Sequence, residues 1–369
     1  MLTQYLNQVT PPDTAVMNEA KLYQAKLAKP PGSLGQLEEL SIQLAGITGN
    51  LHNKIEKKSL LVFAADNGVV EEGVSSAPQS VTLMQTINLT RAKTGASVLA
   101  KHFGCDITVC DVGVNADIKE PAVLNKKIAY GTANITKMPA MTREQAIKAI
   151  CIGIELAMTT ASTHDVLGIG EMGIGNTTTS SAVLSVLLHV DAEVVTGRGG
   201  GITDESFDKK KDVIRQAIRL HRPDPSDVVD VLSKVGGFDI AAMCGAFIGS
   251  SIARKPVVID GFISAVAALC AVRLCPNVRH YLIPSHASFE IGYKLAMKEL
   301  QLEPMLLLGM RLGEGSGCPL AFEILNAACA IINQMATFDQ AGIDDGYLDE
   351  IREGDKFSVS EPSHKEEIS

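Results

Sequence analysis

From residue 58 onward the chain alternates short apolar runs with segments of helical period, and each apolar run closes on a polar or glycine residue. The runs are 60–65, closing on Asp66-Asn67-Gly68; 107–110, closing on Asp111-Val112-Gly113; 165–170, closing on Glu171; 257–259, closing on Asp260-Gly261; and 281–283, closing on Pro284-Ser285-His286. A last run, Leu306-Leu307-Leu308, reads as a buried strand feeding a bend rich in glycine, 309–317, where Ser316 can cap the helix announced by Leu320, Ile324 and Leu325. Helices are predicted between the runs, for example over 142–162, where Thr142 and Gln145 form a capping box, and over 204–220. Continuous apolar strands alternating with helices predict an α/β fold: a parallel β-sheet flanked by helices on both faces, Rossmann-like and three-layered. Ligands of such sheets sit beyond the carboxyl ends of the strands, where the polar and glycine residues of this chain gather, so one shared cleft is expected.

Residues 1–52 lack a convincing strand and read as helical. Asp13 caps a predicted helix running to Leu27, Lys29-Pro30-Pro31-Gly32 breaks it, and Ser33-Leu34-Gly35-Gln36 has the form of a capping box before Leu37, Leu40 and Leu44. The expected organisation is a small helical domain or arm at 1–55, to which the C-terminal segment is a second candidate contributor. An α/β catalytic domain follows at 56–340, then a solvated acidic tail at 341–369.

At 369 residues and 46% hydrophobic, the chain can bury a large core. With no Trp and 32 glycines, that core is expected to be packed from Ala, Val, Ile, Leu and Gly. A formal charge of −9 without a basic stripe speaks against a nucleic-acid surface. The eight cysteines include no CxxC pair and no Cys/His array at zinc spacing, so they read as core thiols and no metal site is predicted. The start lacks a charged and apolar leader and no apolar run has membrane length, so a cytoplasmic protein without membrane association is expected.

Two stretches carry candidate chemistry. In Gly168-Ile169-Gly170-Glu171-Met172-Gly173-Ile174-Gly175-Asn176-Thr177, glycines after a strand lead into a helix start, an arrangement that offers backbone N–H groups to a phosphate. It is neither a P-loop, for no Gly-Lys-Ser/Thr follows, nor a dinucleotide fingerprint, for no acidic residue closes a second strand about 20 residues on. In Leu312-Gly313-Glu314-Gly315-Ser316-Gly317, one carboxylate stands inside a glycine bend. Thr196-Gly197-Arg198-Gly199-Gly200-Gly201 offers a second close backbone approach. Lys209-Lys210-Lys211 follows on a helix; such a run is usually a solvated face, but one lysine could neutralise a phosphate. His286 reads as a hydrogen-bonded residue at a helix start, and no Ser/His/Asp arrangement is implied. Glu171 and Glu314 are the two glutamates set in glycine-rich loops at strand ends, and paired carboxylates suit chemistry at a sugar anomeric carbon. The residues alone thus point to a phosphate-binding α/β enzyme with a glutamate base and a phosphorylated, ribose-like substrate.

These stretches resemble one family along nearly the whole chain. With Lys29-Pro30-Pro31-Gly32-Ser33-Leu34-Gly35, Ala65-Asp66-Asn67-Gly68-Val69, Pro78-Gln79-Ser80-Val81-Thr82, Val235-Gly236-Gly237-Phe238-Asp239-Ile240-Ala241 and Val258-Ile259-Asp260-Gly261-Phe262 in order between them, the chain is similar to the nicotinate-nucleotide:dimethylbenzimidazole phosphoribosyltransferases of cobalamin assembly. The resemblance implies transfer of phosphoribose from nicotinate mononucleotide to 5,6-dimethylbenzimidazole, giving α-ribazole 5′-phosphate and nicotinate with inversion. It makes Glu314 the general base and puts Glu171 near the base and ribose. Gln85 and Leu312 would line the base pocket, with Gly315 a further substrate contact. Gly173, Gly175, Asn176 and Thr177, with Gly199, Gly201, Lys210 and Ser288, would hold phosphate and ribose. It implies no cofactor and no metal, because the departing ring is already a cationic pyridinium, and it implies a homodimer. A nucleotide N-glycosidase using Glu171 and Glu314 on water, and a non-catalytic binder of phosphorylated ligands, stay open. The acceptor could be a benzimidazole, a purine or a phenol.

Overall fold

The computed structural model describes residues 2–348. Among the described residues the strands are β1 (Lys58–Ala65), β2 (Cys105–Gly113), β3 (Val123–Asn125), β4 (Val166–Met172), β5 (Val257–Ile259) and β6 (Leu282–Pro284). They form a single sheet in the order β3-β2-β1-β4-β5-β6, with every neighbouring pair parallel. β1 and β4 are buried along their whole length, which is why their sequences run apolar without alternation. After β3 the chain returns to the far side of β1 to lay down β4, and a sheet that reverses direction in this way leaves a crevice at the carboxyl ends of the two central strands.

The helical expectations rest on local chemistry, and several are met. Thr142 accepts from the Gln145 N–H while Gln145 reaches back to the Thr142 N–H, opening the helix Arg143–Ala161; Thr203 caps Asp204–His221. Asp13 accepts from the Ala15 and Val16 N–H groups and starts Thr14–Gln24. Such caps stabilise a helix by about 1 kcal/mol each.

Contacts divide the chain into two compact units. One holds the residues up to Pro12 together with Ile55–Glu323, and contains the sheet. The other holds Asp13–Lys54 together with the described residues from Ile324 on, and is built from helices around Ala20, Ala45 and Ile332. The small unit thus joins the segment Asp13–Lys54 to the segment from Ile324 on.

Three local expectations need correction. The helix Gln36–Thr48 has Gly35, not Ser33, at its N-cap; Glu38 instead turns back to accept from the Gly32 and Leu34 N–H groups. Leu306-Leu307-Leu308 is not a buried strand: Leu306 makes one bridge to His286, and Leu307 is 83% exposed, because this segment pairs with the loop after β6 rather than with β6 itself. Ser316 caps nothing; the helix Cys318–Gln334 starts two residues later, and the buried Ser316 hydroxyl has no hydrogen-bond partner. The edge strand β3 was not anticipated, since three residues carry no readable period. Of the acidic tail, 349–369 lies outside the described residues, while Leu348 is buried in a short 3₁₀ turn.

Candidate active site

The crevice predicted by strand order is a cleft of about 260 Å³ in the sheet unit. It is lined by Glu171 and Glu314, by Gln85, Leu312 and Ser288, and by Gly173, Gly175, Asn176, Thr177 and Gly199. Three expected site residues stand elsewhere. Lys210 lies behind Thr177. Gly315 is turned away from the opening, close over Gly170 and Leu60, and Gly201 lies outside the lining in an outer turn at φ +100°.

Glycines on β4 let the Glu314 bend lie flat on the sheet. A Cβ at Gly170 would stand 2.6 Å from the Gly315 nitrogen and 2.7 Å from the Glu314 carbonyl. The glycine run after the strand therefore serves packing as well as any ligand: at Gly173 a Cβ would come within 2.3 Å of the Ala65 carbonyl oxygen, so only glycine lets the turn cross the end of β1. Glu314 is buried at φ +62°, with its Oε2 accepting from the Ala96 N–H at 3.3 Å and its Oε1 facing the donating Gln85 amide at 3.5 Å. The Ala96 N–H belongs to the first turn of the helix Gly95–His102, which a Thr94/Ser97 capping box opens.

Glu171 is the penultimate residue of β4 rather than a loop residue, and it is buried. Asn176 donates to it at 2.5 Å and to Asp239 at 3.1 Å, joining the two acids through one amide. Burial above all, with the Asp239 and Asp260 charges nearby, pushes the Glu171 carboxyl up to about 8; burial raises Asp260 to about 7 and Asp239 to about 6. A native carboxyl with a raised pKa keeps a proton that the unfolded chain releases, so its stabilising contribution is full below its unfolded pKa and is lost as pH rises through the native value. Glu171→Gln is therefore expected to flatten the fall in Tm between about pH 5 and about pH 8.5, measured by calorimetry; a fall as steep as in the unsubstituted chain would refute that assignment.

The N-terminus of the helix Asn176–Leu188 lines the cleft through Asn176 and Thr177, a place that favours an anion. Lys210 is 1% exposed, so the solvated-face reading of the lysine run fails for it: its Nζ donates to Thr177 Oγ1 at 2.9 Å and to the Gly197 carbonyl at 3.0 Å. Burial lowers its pKa to about 8, against the pull of the Glu290 charge. Lys211 pairs instead with Glu193 and Asp208. Glu290, overlooked in the sequence, lines the cleft with one buried oxygen lacking a partner, and its own pKa is raised by burial. His286 is not at a helix start; it lies in the loop after β6 beside the Ser285 hydroxyl, and burial lowers its pKa to about 4, so it is neutral at physiological pH. Among the described residues no three His, Cys, Asp or Glu side chains are grouped to hold a metal ion.

Comparison with known proteins follows the same outline. A family model described as Phosphoribosyltransferase matches residues 9–343. A nicotinate-nucleotide–dimethylbenzimidazole phosphoribosyltransferase from Clostridium perfringens (strain ATCC 13124) is 50% identical over 360 residues, covering 97% of this chain and 100% of the relative. A protein of the same name from Ruminiclostridium cellulolyticum is 52% identical over 340 residues, covering 92% and 97%. The crystal structure of the Thermus thermophilus protein of that name matches with a TM-score of 0.85 at 37% identity, over 90% of this chain and 100% of that one. The chain belongs to the nicotinate-nucleotide:dimethylbenzimidazole phosphoribosyltransferase family. Membership in this phosphoribosyltransferase family accords with the resemblance read from the ordered motifs, and the α/β fold of the family is the one observed. The family match ends at residue 343, at the edge of the acidic segment.

Proposed function

We propose that this chain moves phosphoribose from nicotinate mononucleotide to 5,6-dimethylbenzimidazole in cobalamin assembly. The observation that carries the reading is a buried carboxylate, Glu314, lining the same cleft as the N-terminus of the helix Asn176–Leu188, which suits an anion. In this reading the phosphate sits against Gly175, Asn176 and Thr177, with Lys210 ordering the Thr177 hydroxyl and supplying positive charge. Ser288 and Gly199 flank the ribose, and Gln85 and Leu312 flank the incoming base. As a ring nitrogen of the base bonds to C1′, the C1′–N bond to the pyridinium breaks, its electron pair returns to the nicotinate ring, and Glu314 takes the N–H proton of the azole. Glu171, protonated through neutral pH, lines the cleft without adding a second negative charge beside the base. Grip on the distant phosphate holds C1′ for attack.

The test is product analysis. Purified protein given nicotinate mononucleotide should release nicotinate only when dimethylbenzimidazole is added, in equal amounts with α-ribazole phosphate; release that ignores the base would mean hydrolysis and defeat the reading. Lys210→Met is expected to raise KM for nicotinate mononucleotide by roughly 10- to 100-fold with kcat little changed, since a hydrogen bond to a charged group contributes about 1.5–3 kcal/mol. Steady-state kinetics with varied nucleotide check this, and an unchanged KM would remove Lys210 from the phosphate site.

The reading includes a cytoplasmic homodimer. All eight cysteines are free and buried, which suits a reducing compartment, and no helix among the described residues is long and apolar enough to cross a membrane. Phe289, Ile291, Leu307 and Leu308 expose apolar side chains around the segment that pairs with the loop after β6, a surface for a second copy to cover.

A further inference from the structure

Gly313, Glu314 and Gly315 have successive φ values of +83°, +62° and +84°. A left-handed turn three residues long does not sustain itself in an L-polypeptide, and the central residue here carries a side chain. Such a conformation persists where its surroundings over-determine it. The contacts that do so converge on Asp260, just past the end of β5. Its Oδ2 accepts the Gly315 N–H at 3.0 Å and its Oδ1 accepts the Gly317 N–H at 2.7 Å, so one carboxylate spans the bend immediately after Glu314. Asp260 is itself held on both sides: its N–H donates to Ser264 Oγ at 3.2 Å, and its carbonyl accepts from Ser285 Oγ at 3.0 Å. It is 2% exposed, and the chain from which it comes is more than fifty residues from the bend it grips. From the other side, the Glu314 N–H faces Glu171 Oε1 at 3.4 Å, a longer and weaker contact than either bond to Asp260.

We infer that Asp260 is the positioning residue for Glu314: by accepting two backbone N–H groups of the bend, it fixes the left-handed turn and aims the glutamate into the cleft. The inference rests on the reading of Glu314 as the general base. Above its raised pKa of about 7 the Asp260 carboxylate is ionised and can accept both N–H groups, whereas an amide has one acceptor oxygen and would turn an NH₂ toward the second donor. Asp260→Asn therefore releases one of the two tethers without changing the size of the side chain.

A double-mutant cycle on the full-length protein separates positioning from any independent role, with nicotinate release as the assay. Asp260→Asn is expected to lower kcat by about 100-fold, the order of loss that a displacement of about 1 Å brings, with KM for nicotinate mononucleotide within about 3-fold. Because Asp260 acts through Glu314, Asp260→Asn combined with Glu314→Gln should be no slower than Glu314→Gln alone, within about 3-fold. Losses that multiply across the cycle, or a kcat for Asp260→Asn within about 2-fold of the parent, overturn the positioning role while leaving Glu314 as base. A Glu314→Gln protein with parental kcat overturns both. Should Asp260→Asn fail to fold, Asp260→Glu keeps the charge and moves both acceptor oxygens by one methylene; the same cycle then gives the same two opposed outcomes.

Discussion

Glu314→Gln is expected to lower kcat by about 10²- to 10⁴-fold, the range that a positioned proton transfer contributes. Glutamine has the same shape and can keep one oxygen toward the Ala96 N–H, so the bend and the fold should survive and Tm should move little. On the proposed reading, the proton acceptor is what disappears. KM for nicotinate mononucleotide should stay within about 3-fold, because the phosphate site proposed above lies at Thr177, with Lys210 behind it, away from the Glu314 bend. Nicotinate release measured at saturating base checks both numbers. A variant that keeps most of its kcat would defeat the assignment of the proton transfer to Glu314.

The second large effect is expected from a residue that touches neither substrate. Gly170→Ala places a methyl 2.6–2.7 Å from the backbone of Glu314 and Gly315. Those atoms are main chain, tethered to Asp260 on the far side, and cannot swing away as a side-chain tip would. Either β4 or the bend must shift, with a cost of about 1–3 kcal/mol for overpacking. The consequence for turnover follows from geometry: a bend lifted by about 1 Å carries the carboxylate out of line, and kcat should fall by roughly 100-fold while the nucleotide still binds. Calorimetry and kinetics on the same preparation test the two halves together. A protein less stable but fully active would show that the bend tolerates displacement.

The architecture was legible because its signals are local. Uninterrupted apolar runs mark strands with helices on both faces, and 257–259 falls on β5 residue for residue. Thr142 with Gln145, and Asp13, cap helices by contacts within three residues. What the sequence could not convey is non-local. The glycines of β4 and its following turn looked alike, yet Gly170 makes room for the Glu314 bend and Gly173 for the end of β1, and each role depends on a segment far away in the chain. Leu306 to Leu308 had the composition of a strand, but a strand needs a partner, and the backbone beside it is a loop. Lys210 was indistinguishable from its neighbours until the turn of its helix placed it, alone of the three, against Thr177. Asp239 in the first turn of a helix, Asp260 past a strand end and Glu290 just before a helix looked ordinary; their importance appears only when burial is known.

The lining of the cleft includes residues 171, 260 and 314, and the last of these rests on a strand laid down more than a hundred residues earlier. A chain emerging from the ribosome can pair β1, β2 and β4 well before that bend has been synthesised, and closing so long a loop is entropically slow. The complete cleft is thus a late acquisition during biosynthesis: the nascent protein has its scaffold first and gains the Glu314 carboxylate only when nearly the whole sheet unit has been translated.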